Sequence, residues 1–137
     1  MTSAGRGYTP PDGTKDTEPT LTSLEQARRI AALAQEKLAE DVVILDMRPV
    51  CSFTDYFVIA TGRNARQTAS IWDEVHTRLK ESKLFPSGID GVREGAWIVA
   101  DYIDVVLHVF TPEARAYYKL EDLWNDVPAV ALDAAAV

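Results

Sequence analysis

Residues 95–110 read GAWIVADYIDVVLHVF, and no other stretch restricts the fold as much. Two apolar runs rich in β-branched residues flank an acidic break at Asp101 and Asp104, with Tyr102 between the acids. Branched and aromatic side chains suit a pleated surface, so both runs are expected to be strands. Alternation sends Trp97 and Val99 to one side and Ile98 and Ala100 to the other. After the break, Ile103, Val105, Leu107 and Val109 oppose Val106, His108 and Phe110. Runs that are apolar on both sides predict inner strands covered by helices. The break itself has three readings: a catalytic carboxylate pair, a turn, or an acidic docking tip.

The remaining elements supply those helices. Leu24, Ala27, Ala31, Ala34 and Leu38 recur at helical spacing, predicting a helix that runs to about residue 40. Thr22 with Glu25, or Ser23 with Gln26, offers a capping box at its start. VVILDMRPV reads as a strand ended by Pro49, and a turn at 52–55 leads to a second strand from Tyr56 to Thr61. Ala65, Ala69, Trp72, Val75 and Leu79 form the apolar stripe of a helix over 64–82. FPSGIDGVREG is a glycine-punctuated loop with a short edge strand near 87–89. In TPEARAYYKLEDLW, Thr111 caps a helix with Pro112 at its first position, and Leu120, Leu123 and Trp124 anchor its end. Helices mixed with adjacent strand pairs predict an α/β sandwich with a mixed central β-sheet. The chain is expected to divide into a disordered leader at 1–20, a domain at 21–126 and a tail at 127–137 to which no element is assigned.

Composition narrows the function. A formal charge of −7 over 137 residues opposes direct contact with a nucleic-acid backbone, which needs clustered cations. Cys51 is the single cysteine, so no internal disulfide or Cys-rich metal site is expected, and a reducing cytoplasm suits the chain. There is no apolar signal segment and no run long enough for a membrane span. Neither phosphate-binding glycine pattern occurs. Arg63 and Arg66, after the glycine of TGRNARQ, are read as solvent-exposed. His76 and His108 lie on different elements without ligand-spaced neighbours and are read as packing residues. Asp101 and Asp104 as a Mg²⁺ pair would want further acids and a phosphate cradle, and Asp46, Asp55 and Asp73 fall in no metal motif. The residues therefore favour binding over catalysis, with no metal and no cofactor. A Mg²⁺-dependent nucleotidyltransferase-like enzyme is the alternative.

TDYFVIATGRNARQ, followed one helix later by WIVADYIDVVLHVFTPEARAYYKLEDLW, closely resembles the Iojap-like ribosomal silencing factor family over about residues 21–126. The resemblance implies a fold related to nucleotidyltransferases without transferase machinery. It also implies a translational repressor that binds the large ribosomal subunit through large-subunit ribosomal protein fourteen and sterically blocks joining of the small subunit. Homodimers when free are implied as well. Ile103 stands where the family turn carries glycine; isoleucine disfavours positive φ, so a tight turn there is avoided or strained. Arg63 and Asn64 replace the family's small residues. Periodicity alone leaves Trp97 equally a core residue beside turn-capping acids. With the resemblance, Trp97 and Tyr102 are expected to form an aromatic knob rimmed by Glu94, Asp101 and Asp104, gripping a basic protein.

Overall fold

The strands predicted from alternation join one six-stranded sheet in the computed structural model, which describes residues 21–124 and 126–132. The leader expected at 1–20 lies outside the described residues. Helix α1 (Ser23–Glu36) starts at a reciprocal cap: Thr22 Oγ1 accepts from the Glu25 amide, and the Glu25 carboxylate accepts from the Thr22 amide. It ends at Glu36 rather than near residue 40, because Leu38 adopts a positive φ of 65° and Glu40 already belongs to β1 (Glu40–Asp46). Then come β2 (Tyr56–Thr61), α2 (Ala65–Glu81) capped by Asn64, β3 (Gly88–Asp90), β4 (Trp97–Asp101) and β5 (Val105–Phe110). The sheet order is β3-β4-β5-β2-β1, closed by β6 (Ala129–Val130) beyond β1. Only β2 and β5 run parallel, so the sheet is mixed.

The helix expected over 111–124 is two pieces. A left-handed Lys119 (φ 50°) separates α3 (Pro112–Tyr118) from α4 (Leu120–Leu123). The bend lets Leu120 and Trp124 pack toward the sheet, while Leu123 stays exposed. Arg115 secures this corner, donating to the Asp41 carbonyl, Thr61 Oγ1 and the Glu121 carboxylate.

The two faces of the sheet are covered differently. On the first, Ile44, Val58, Ala60, Ile98, Val105 and Leu107 lie beneath the Ala27–Ile30–Ala31–Ala34 stripe of α1 and beneath Ile71, Trp72, Val75 and Leu79 of α2. On the second, Leu45, Met47, Phe57, Ile59, Val106 and Phe110 meet Ala114, Leu120, Trp124 and Val127, with Cys51 beside them. Long helices thus cover one side, not both as the apolar runs suggested. The segment read as an unassigned tail contributes Val127 to this second layer and supplies β6, whose Ala129 and Val130 pair with Leu45 and Ile44. A strand of two residues is too short to show a period.

Candidate docking face

Residues opposed across paired strands share a face. Register therefore places Trp97 beside Phe110, Val99 beside His108 and Asp101 beside Val106. The neighbouring strands add Phe57 and Ile59 from β2 and Asp90, opposite Val99, from β3. All belong to the second face. Trp97, Val99 and Asp101 are half-buried there, and Asp90 is exposed.

The turn that delivers Trp97 is built on glycine. At Gly91 (φ 82°) a Cβ would lie 1.9 Å from the Trp97 carbonyl oxygen. The indole stacks on Phe110 at 5.0 Å and meets Tyr118 at 4.7 Å. Tyr117 lies edge-on to Tyr118 at 5.0 Å, and both tyrosines are exposed. The aromatic cluster at this corner is therefore Trp97, Tyr118 and Tyr117.

Tyr102 is not part of it. Tyr102 lies five positions, an odd step, beyond Trp97, so it points to the first face. There it is 4% exposed and 6.5 Å from Trp72, with its hydroxyl buried and unpartnered. Burial pushes its pKa up to about 12. The expected knob joining Trp97 to Tyr102 does not form, because the sheet lies between them.

The acids are also divided. Asp101 Oδ1 accepts from the Ile103 amide at 2.7 Å, and the Asp104 carbonyl accepts from the Asp55 and Tyr56 amides. This turn is thereby stapled to the start of β2. Ile103 sits at φ 75° while the Asp104 amide donates to the Tyr102 carbonyl, closing a three-residue γ-turn. The strained alternative is the one realised. Glu94, beside Arg93, is exposed beyond the opposite end of β4. Asp90, which the sequence reading did not single out, stands between these ends. Its position depends on the register of a short edge strand, which no local pattern reveals. Tyr118 had a fainter signal, as one of two adjacent tyrosines in a helix with few apolar anchors.

Elsewhere the polar groups serve packing. Arg48 makes paired bonds to Asp46 at 2.9 and 2.7 Å, and these hold its carboxyl below the usual range. His76 stacks on Trp72 at 5.0 Å. His108 is 6% exposed among Phe57, Trp97 and Phe110, and burial lowers its pKa to about 4. Among the described residues, no three His, Cys, Asp or Glu side chains gather as a metal site, and no helix is long and apolar enough to cross a membrane.

A family model described as "Ribosomal silencing factor during starvation" matches residues 20–137. The chain belongs to the ribosomal silencing factor family. It is 38% identical over 103 residues to the Bacillus subtilis ribosomal silencing factor, covering 75% of this chain and 87% of that one. It is 31% identical to the chloroplastic protein Iojap of Arabidopsis thaliana, over 80% of this chain and 46% of the plant protein. A crystal structure of a Chromobacterium violaceum protein shares the fold with a TM-score of 0.74 at 30% identity, covering 77% of this chain and 88% of that one. Membership makes this chain a ribosome-associated silencing factor, a regulatory protein rather than an enzyme.

Proposed function

We propose that this silencing factor docks the second sheet face, at Trp97, on protein fourteen of the large ribosomal subunit, so that its bulk obstructs the small subunit and represses translation. The observation that carries the reading is the half-buried Trp97 on an apolar, acid-flanked face that no long helix covers. Such a centre, aromatic and partly desolvated with carboxylates near it, has the make-up of a protein hot spot. The net charge of −7 favours a basic protein over bare nucleic acid. The mechanism needs only occupancy of space. Free molecules pair as homodimers, and if pairing uses the same face, apparent affinity for the ribosome falls as the protein is concentrated.

Cosedimentation with isolated large subunits, followed by a challenge with small subunits, tests this. The factor is expected to pellet with large subunits and to reduce the joined particle. Trp97→Ala is expected to weaken pelleting by about thirtyfold, or about 2 kcal/mol. A folded Trp97→Ala variant that pellets like the parent would sink the reading.

A further inference from the structure

The Trp97 side chain has one polar atom, and it is already committed. Its Nε1–H donates to Nδ1 of His108 at 3.1 Å. A histidine accepting at Nδ1 is neutral and carries its proton on Nε2. His108 is rigidly placed on β5, opposite Val99 on one side and Ile59 on the other, with Phe57 edge-on at 4.7 Å. Its Nε2 is buried without a partner, so the ring gains its hydrogen bond only by facing Trp97. Burial keeps it neutral near physiological pH, and the acceptor remains available.

We propose that His108 is a positioning residue for docking: it draws the Trp97 N–H inward, so that the indole offers a partner only an apolar, π-rich surface. Resting on the docking reading above, the proposal also names the chemistry of the contact. Asp90 and Asp101 lie on the same face, flanking Val99. The fitting partner group is therefore a lysine or arginine, its stem lying on Val99 and the indole and its cation facing the carboxylates. A partner that needed a hydrogen bond from Trp97 would have to break the one to His108.

The test measures large-subunit binding alongside the ¹⁵N-resolved indole N–H resonance of Trp97. His108→Leu should weaken binding about tenfold and return the indole resonance to a rapidly exchanging, unbonded position. His108→Asn, whose Oδ1 can stand near the lost Nδ1, should restore binding to within about threefold and recover the bonded resonance. In a Trp97→Phe background, His108→Leu should add nothing. If His108→Leu binds like the parent while Trp97→Ala does not, the positioning role is overturned and docking through Trp97 stands. If Trp97→Ala also binds normally, the docking reading itself has failed. Should the leucine variant not fold, the asparagine variant decides: binding and the bonded indole resonance kept or lost together support the role, and one lost without the other overturns it.

Discussion

The first face of the sheet is sealed and the second is not, although strand composition barely distinguishes them. On β4, Ile98 and Ala100 are fully buried beneath α2, while Trp97 and Val99, one residue out of phase, remain partly open. The difference comes from what lies above. Helices of 14 and 17 residues close one side; short α3, α4 and the stretch at Val127 cover part of the other. One face therefore carries stability alone, and on the docking proposed above the other divides its residues between stability and recognition. Each prediction probes that division.

The largest effect belongs to the sealed face. Ile98→Ala removes a fully buried side chain and should cost about 3–4 kcal/mol in a urea titration. The molecules that remain folded should bind large subunits with unchanged affinity. A loss of affinity at constant folded fraction would mean that the faces are coupled.

Acid probes the second face almost as strongly. Its buried histidine has a pKa of about 4 in the fold against 6.5 for the free side chain. Above the higher value neither state holds the proton, and the stabilisation is complete. As pH falls from 6.5 toward 4 the unfolded chain takes up the proton and the native chain does not, so stability drops, by about 3 kcal/mol in all. Asp46, whose carboxyl is held low by Arg48, adds a loss only at pH below its ordinary 3.8. Urea midpoints measured across this range should decline in the parent, and the decline between 6.5 and 4 should vanish in His108→Asn.

Much of this contrast is legible in the chain, and the errors have particular causes. Strand β2 lies at Tyr56–Thr61 as its β-branched run predicts, and the Thr22–Glu25 capping box opens α1. The alternation that orients Trp97 also sends Tyr102 the other way; grouping them by proximity in sequence overrode the period of two. Asp90 and the β6 pairing follow from register between distant segments, which local pattern does not encode. The break at Lys119 was hidden because lysine is an ordinary helix residue and its left-handed conformation arises from the packing of Leu120 and Trp124.

The turn joining β4 and β5 is where the two faces exchange residues, and it holds strain. A β-branched side chain at φ 75° is disfavoured, and Ile103 is 62% exposed, so little packing offsets the cost. Ile103→Gly should raise stability by about 1 kcal/mol, the relief of strain exceeding the greater freedom of glycine in the unfolded chain. The urea midpoint should rise with an unchanged slope. Destabilisation would show that the exposed isoleucine makes contacts worth more than its strain.

The smallest effect expected is electrostatic, and it separates steering from grip. Changing Asp101 and Asp104 together to Lys reverses the charge at one end of the second face without removing apolar surface. For a basic partner the association rate should fall by about threefold to tenfold at low salt, with little change in dissociation. Because screening acts over about 8 Å at physiological ionic strength, the defect should shrink as salt is raised. The Asp101 carboxylate also holds the Ile103 amide, so a parallel pair of changes to Asn keeps an acceptor for the turn while removing charge. If the Asn pair slows association by an intermediate amount, charge is the cause. If it matches the parent while the Lys pair is slow at every salt concentration, the lysines act by deforming the turn, and the acids have no part in guiding the partner.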